Sequence, residues 1–442
     1  MKIGFDQPLH RILCISPLFA PTADSEAFCA TKMVQALLSC GVSVTVISSH
    51  DIRRGGRNDS SRLWGSMRDV VVDVPQLLQP NLPSSIAAAS RFQTPFFARW
   101  VGQVVETAKR LHRTNKFDLV YTRSLPMVAH IAGFWCSKIL QLPWVANIND
   151  PWEFNFFPGA AFPKISSFKT SAYLFWLRRT LQTADLITYP CKGLQSFHSQ
   201  LANFNHSAEI IPHIGSRPDG SSRSSNHHFR LVHAGKLGTT EVTRRSAKAL
   251  LLGLKAFIDS STDRAVRLRL ILVGPEDKET QALICDLGLE QNVEHVGMVN
   301  YEQSLEYIAS SSACVLIESS MDESIFFPSK LADYIVCGKP ILAISPSNGI
   351  AAELAGHGEL LRVGHDPSAV RNAIATLYSD FVGGTLSSRN PSDLLIEELR
   401  GPSIANKFLT ACQVVTSRRK MGFSTAQFSR PANSRSRLER VL

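Results

Sequence analysis

Glu323 and Asp333 lie on either side of the run Ser324-Ile-Phe-Phe-Pro-Ser-Lys330 and precede an apolar stretch at 341–344. A strand is expected over 313–317, followed by a loop carrying Glu323 and a helix opened by Pro328, whose fixed φ suits a first helical turn. Unpaired backbone N–H groups at such a start attract phosphate. One carboxylate outside the helix and one within it can divide their work, the first reaching a sugar hydroxyl and the second a ribose. A nucleoside diphosphate sugar needs that division. A loop, an amphipathic helix and a strand with ordinary surface acids explain the segment equally well.

The ends of other expected strands carry further polar groups. After 230–234 comes Gly235-Lys236-Leu237-Gly238, with Arg244 and Arg245 close behind. Glycines let a backbone approach a ligand, and the cations can neutralise a diphosphate without a metal. A tight turn with solvated cations is the competing reading. Gly274-Pro275-Glu276 and Gly297-Met298-Val299 follow two more strands, and Gly274 reads as a packing glycine. Asp150 follows the strand expected at 144–148, either as a site carboxylate or as the cap of a turn before Pro151. Downstream, Trp152, Phe154, Phe156, Phe157, Tyr173, Phe175 and Trp176 alternate with Lys164, Lys169, Arg178 and Arg179. That mixture suits an acceptor groove or a membrane interface, and core packing accounts for the aromatics as well. No P-loop, H-E-x-x-H, G-x-S-x-G or metal-spaced histidine cluster occurs.

The elements that must position these residues alternate between strand and helix. Strands are expected at 11–16, 42–48, 70–74, 118–121, 144–148 and 185–189, with helices at 25–39, 97–113 and 127–140 and a polar loop at 51–67. Glycine, serine and proline without periodicity at 212–228 read as a linker. A second alternation follows, with strands at 230–234, 268–273, 293–296, 313–317 and 341–344. The fold class is therefore α/β, with two Rossmann-like domains whose parallel sheets face a cleft. The expected division is an acceptor-side domain at 1–211, a linker at 212–229, a nucleotide-sugar domain at 230–400, a helix at 401–417 and a tail at 418–442.

Composition narrows the classes. The chain has 442 residues, 44% of them hydrophobic, which is enough for two cores of ordinary size. Nine scattered cysteines without a C-x-x-C pair argue against a disulfide framework or zinc site and for a reducing compartment. No secretory leader pattern opens the chain, so cytoplasmic residence is expected. The apolar window 128–148 contains Lys138 and Pro143 and divides into a buried helix and a buried strand. The tail holds seven basic residues and one acid, more than half of the net +10. Such a segment reads as disordered, and it suits an anionic membrane face, nucleic acid, or no partner at all.

Taken in order, these motifs resemble the retaining glycosyltransferases of family 4, which have the GT-B fold. Residues 12–21, 41–47, 117–124, 142–146 and Asp150-Pro-Trp152 are similar to the N-terminal domain of that family. His233-Ala-Gly-Lys-Leu-Gly238, Val273-Gly-Pro-Glu276, Val296-Gly-Met-Val299, Pro328-Ser-Lys-Leu-Ala-Asp-Tyr334 and Cys337-Gly-Lys-Pro340 resemble its donor-binding domain. The resemblance covers about residues 11–380 and takes the Pro-Ser-Lys form of the E-x7-E group. It implies that Glu323 holds donor-sugar hydroxyls, Asp333 binds the ribose, and Lys236 with Arg245 neutralises the leaving diphosphate. Further donor contacts are implied for Gly235, Met298, Phe326, Phe327, Ser329 and Lys330, and a catalytic place for Asp150 beside Glu323 and Lys236. Departures from the family pattern are two extra residues between the acids, Asp for Glu at 333, Ala23-Asp24-Ser25 in place of a glycine pair, and Asn149 where some members have histidine.

The implied activity is transfer of a hexose-type sugar from a UDP- or GDP-sugar to an acceptor hydroxyl with retention, in polysaccharide or glycolipid biosynthesis. No cofactor or metal is required. The expected partners are a nucleotide sugar, a glycan or lipid-linked acceptor and an anionic membrane surface at the inner face of the cell membrane, with no nucleic acid. A sugar-nucleotide epimerase and a non-catalytic glycan-binding protein derived from a transferase are the alternatives.

Overall fold

The computed structural model describes residues 9–49, 58–74, 95–151, 167–204, 206, 208–220, 228–238, 245–260 and 262–420. Among these the chain forms two compact units, one from 9–151, 167–212 and 401–420, the other from 213–400.

The first unit is built on seven strands: β1 (Arg11–Ile15), β2 (Ser43–Ser48), β3 (Val71–Asp73), β4 (Leu119–Ser124), β5 (Trp144–Ile148), β6 (Leu186–Tyr189) and β7 (Ala208–Ile210). Their spatial order is β3-β2-β1-β4-β5-β6-β7, and every neighbouring pair is parallel. β4 and β5 are buried along their whole length, as strands covered on both faces must be. The apolar window resolves into the helix Val128–Leu140 and strand β5. No helix among the described residues is long and apolar enough to cross a membrane.

The polar stretch expected as a loop at 51–67 instead contains a 3-10 helix, Arg62–Val70. Trp64 fixes it by donating its indole N–H to Asp59 at 2.7 Å and stacking on Phe28 at 5.6 Å. The helix Gly401–Lys420 returns to this unit. Ile404, Phe408, Cys412 and Val415 recur at helical spacing and are all buried, with Phe408 4.7 Å from Tyr121 at the centre of the sheet.

The second unit has six strands: β8 (Phe229–Ala234), β9 (Leu268–Val273), β10 (Val293–Gly297), β11 (Ala313–Ile317), β12 (Ile341–Ile344) and β13 (Leu361–Val363). Their order is β10-β9-β8-β11-β12-β13, again all parallel. The core on one side of this sheet joins Phe229, Leu231, Leu270, Val315 and Leu342 to Leu250, Leu254 and Phe257 of the helix Lys248–Ile258 and to Ile374, Leu377 and Tyr378 of Pro367–Val382.

Each sheet thus has a point where the strand order reverses, between β1 and β4 in the first and between β8 and β11 in the second. Chains leaving the two central strands there diverge to opposite faces, opening a crevice beyond the carboxyl ends where ligands bind in such sheets.

Candidate functional site

β8 runs into Gly235 and β11 into Glu318, the two sides of the reversal in the second sheet. Gly235 adopts φ 127° and donates its N–H to the Val273 carbonyl at 2.7 Å. Gly274, at φ 153°, donates to Gly297 at 3.0 Å. A Cβ on Gly274 would lie 2.5 Å from the Gly235 carbonyl oxygen, and a Cβ on Gly235 would collide with Lys330 Nζ. Glycine at 235 and 274 is what lets these strand ends and the lysine crowd together. Gly238 and Arg245 exchange both backbone hydrogen bonds, at 3.2 and 3.0 Å, which brings Arg245 back toward the same corner.

Lys330 is carried by the helix Ser329–Val336. Pro328 is the residue before that helix rather than its first member, with φ −61° and ψ 123°, and no side chain caps the first turn. The helix is pinned to the sheet by Tyr334, whose hydroxyl receives the Ala234 N–H at 2.9 Å and lies 3.4 Å from the Val315 carbonyl. On the other flank its backbone packs against Gly215, where a Cβ would collide with the Ala332 carbonyl.

Around Lys330 the polar groups are buried and incompletely paired. Its Nζ is buried with no hydrogen-bond partner. Burial, then the neighbouring Arg245 cation, pull its pKa down to about 7, against the opposing pull of Glu318. Glu318 is 5% exposed; its Oε1 accepts from Ser324 Oγ at 2.6 Å and its Oε2 is buried without a partner. Burial raises the Glu318 carboxyl, while the Ser324 hydrogen bond, Arg245, Lys330 and Arg362 oppose the rise. His233 Nδ1 lies 2.9 Å from the Val315 carbonyl and its Nε2 is buried without a partner. Burial first, then Lys330 and Arg245, hold that imidazole well below its ordinary pKa, so it is neutral.

The residues expected from sequence do not all meet at this corner. Gly235, Arg245 and Lys330 belong to this corner. Glu323, Lys236 and Met298 are exposed, and the backbone of Glu323 is fixed by a parallel bridge to Asn348. Asp333 points inward: its Oδ1 accepts from the Ser216 N–H at 2.8 Å and the Tyr301 hydroxyl at 2.9 Å. Tyr301 is itself placed by a capping box in which Asn300 and Gln303 bond each other's backbone. Phe327 is buried with its ring 5.7 Å from His213, whereas Phe326 and Ser329 are half-buried. Asp150 is half-buried in the other unit. Arg244, Trp152, Phe154, Phe156, Phe157, Lys164 and the tail beyond 420 lie outside the described residues, as do the side chains of Lys169, Arg418, Arg419 and Lys420.

Residues 27–212 match the glycosyl transferase 4-like domain, and residues 229–380 match the glycosyl transferases group 1. The chain carries two glycosyltransferase-family domains. Among solved structures, it is similar to sucrose-phosphate synthase from Thermosynechococcus elongatus, with 15% identity and a TM-score of 0.62, over 92% of this chain and 99% of that one. It is similar to Anabaena HepE in complex with UDP-glucose, with 16% identity and a TM-score of 0.62, over 91% and 99%. A UDP-N-acetylglucosamine 2-epimerase is also similar, with 11% identity and a TM-score of 0.53, over 97% and 100%. These likenesses establish the GT-B fold. Among curated proteins none matches the chain by sequence.

Sequence reasoning missed two buried acids of this glycosyltransferase chain. Glu318, in the group 1 domain, directly follows β11, so its position after a strand was the available signal. Glu26, ahead of the 4-like domain, looks in sequence like an ordinary first-turn acid beside the N-cap Asp24. In the structure it is 6% exposed and takes two hydrogen bonds from Asn149 Nδ2, at 2.8 and 2.7 Å, and one from Arg123 Nε at 3.3 Å. Arg123 in turn donates to the Tyr121 hydroxyl at 2.8 Å. Burial pushes Glu26 up to about 8 against the pull of Arg123. Asn149 therefore serves a buried carboxylate.

Proposed function

We propose that this chain is a retaining glycosyltransferase that moves a hexose-type sugar from a UDP- or GDP-sugar to an acceptor hydroxyl. The observation that carries the reading is the corner at the β8–β11 reversal in the group 1 domain, where an unpartnered ammonium, a guanidinium-bearing residue and an uncapped helix start come together. These are the groups a diphosphate calls for. In the reaction the bond between the anomeric carbon and the diphosphate oxygen breaks, and the electron pair leaves with the nucleoside diphosphate. The acceptor oxygen bonds the same carbon on the same face and its proton departs with the leaving group. Arg245, Lys330 and Lys236 offset the negative charge that grows on the diphosphate, an electrostatic role that requires no metal. Glu323 holds sugar hydroxyls. Asp333, oriented by Ser216 and Tyr301, is assigned the ribose, and Asp150 the acceptor side. Gly235, Met298, Phe326, Phe327 and Ser329 form the rest of the donor wall.

A ligand that binds only the folded protein raises its melting temperature, by the equivalent of about 2.7 kcal/mol at a hundredfold excess over Kd. A panel of nucleotide sugars should therefore contain at least one UDP- or GDP-linked member that shifts the transition. If none does, the reading fails. Appearance of an epimerised donor in the absence of acceptor would convert it to an epimerase.

Polysaccharide or glycolipid assembly at the inner membrane face is the proposed setting. It is supported by two neighbouring helices of the first unit, Val128–Leu140 and Ser167–Thr183. Trp135, Ile139 and Phe175 are 46%, 47% and 59% exposed there, beside the exposed Lys138, Arg178 and Arg179, whereas Tyr173 is core. Apolar rings among cations suit an anionic lipid surface. Co-sedimentation with vesicles containing phosphatidylglycerol, lost in Trp135→Ala/Phe175→Ala, checks this assignment.

A further inference from the structure

Two buried charges of opposite sign at one corner, each keeping an atom without a hydrogen bond, are costly unless something completes them. An uncompensated ion in a protein interior loses several kcal/mol of hydration, and native structures rarely leave such groups unpaired. Lys330 Nζ and Glu318 Oε2 are in that condition, within electrostatic reach of one another and of Arg245, yet they form no direct ion pair. Neither side chain is free to drift apart from the other. Glu318 is tied by Ser324 Oγ on its Oε1, by its N–H to the Ile344 carbonyl at 3.0 Å, and by His365 Nε2 on its own carbonyl at 2.9 Å. Lys330 is confined by the backbone of Gly235, which leaves no room for a Cβ.

We infer that Glu318 is a positioning residue that keeps Lys330 available as an ammonium, so that binding of the donor's diphosphate is coupled to uptake of a proton by Lys330. The inference rests on the donor-site reading above. The groups facing Lys330 are His233 at the end of β8, Arg245 from the Gly238 bridge and Glu318 after β11; those facing Glu318 are Arg245, Lys330 and Arg362 of β13. His233 is held neutral by its burial and by the cations beside it. Lys330, drawn down to about 7 by burial and by Arg245, is a group at this corner whose charge changes near neutrality. Among the protein's own groups, burial and Arg245 work against its proton and only Glu318 works for it. An arriving diphosphate supplies the missing negative charge, and the protonated form then prevails to higher pH.

Calorimetric titration of UDP and of GDP, each in two buffers of different ionisation heat, measures the protons taken up on binding. For whichever diphosphate binds, the wild type should take up a fraction of a proton at pH 7, rising toward about one at pH 8.5, with affinity falling up to about tenfold per pH unit over that range. Lys330→Met should bind at least tenfold more weakly at pH 7 and show no lysine-linked uptake. Glu318→Gln keeps the hydrogen bond from Ser324 but removes the charge, so the uptake curve should move to lower pH by about one unit. Ser324→Ala, which unlocks Glu318, should move it in the same direction by less, and it serves if the glutamine variant does not fold. An uptake curve unchanged in Glu318→Gln or, failing that, in Ser324→Ala overturns the role of Glu318. Uptake retained in Lys330→Met overturns the role of Lys330. Binding of neither diphosphate to the wild type overturns the donor-site reading and this inference with it, an outcome distinct from either of the others.

Discussion

The two reversal points of this molecule hold similar side chains in opposite states of completion. Beside β4, Glu26 and Arg123 are paired with each other, Asn149 donates two further bonds to Glu26, and Tyr121 accepts one from Arg123. Beside β8 and β11, Lys330, Glu318 and His233 each retain a buried atom with no partner. A closed polar network orders the fold around it, and removing one member strands the others. An open one adds little stability, and its unmet bonds are available to a ligand. The first corner should therefore reveal itself in melting curves and the second in ligand binding.

The largest expected effect tests the closed corner. Arg123→Ala removes from a buried network the group that bonds both Glu26 and Tyr121 and should cost about 3–5 kcal/mol, or ~10 °C in the melting temperature of a unit of this size. Lys330→Met removes an unpaired charge in favour of an apolar chain of similar length and should be neutral or stabilising. A cost to Lys330→Met as large as that of Arg123→Ala would erase the distinction.

Next come the exposed members of the donor site. Glu323→Ala and Lys236→Ala should each abolish sugar transfer while leaving the melting transition nearly unchanged, because neither side chain is buried. Turnover at the wild-type rate in either variant removes that residue from the catalytic set. The outcome also sharpens the comparison, since Lys236 is a solvated cation next in sequence to Gly235, whereas the ammonium of Lys330 is buried.

The pH dependence of stability gives a smaller signal with a definite sign. Lys330 titrates near 7 in the fold and near 10.5 once unfolded, so between these values the unfolded chain binds more protons. The unfolding free energy should then rise with pH across that window through this residue. Denaturant melts of the wild type minus those of Lys330→Met, from pH 6.5 to 9.5, isolate the contribution. A difference that is flat or of opposite slope would show that Lys330 is not held in its low-pKa state.

The sequence exposed the scaffold far better than the chemistry within it. Strands such as 144–148, 268–273, 313–317 and 341–344 are apolar runs bounded by turn residues, and the structure places them at those same limits. The edge strands β7 and β13 have three residues each, too few to show a period, and 62–70 mixes Trp64 and Met67 with charges in a way that hides a 3-10 helix. At the corner beside β8 the glycines and cations were visible by type. Glu318 was not, because a glutamate after a strand looks the same whether it is solvated or buried. Its burial depends on Ser324 folding back across a loop whose path is fixed by Asn348 and Gly349, and that contact is tertiary. Glu26 was hidden for the same reason, since its partners lie on β4 and just beyond β5.

The smallest expected effect concerns Met298, which is 44% exposed just beyond β10 and has been placed in the donor wall by resemblance. Met298→Ala should change stability by no more than about 0.5 kcal/mol, as exposed positions generally do. If the residue covers the base or ribose of a bound donor, the loss appears as a few-fold rise in the Kd of the matching nucleoside diphosphate. Its proton uptake should be unchanged, because Met298 carries no charge. A variant that altered uptake without altering affinity would mean that the electrostatics of the corner extend to the end of β10. The open network would then be larger than the groups around Lys330.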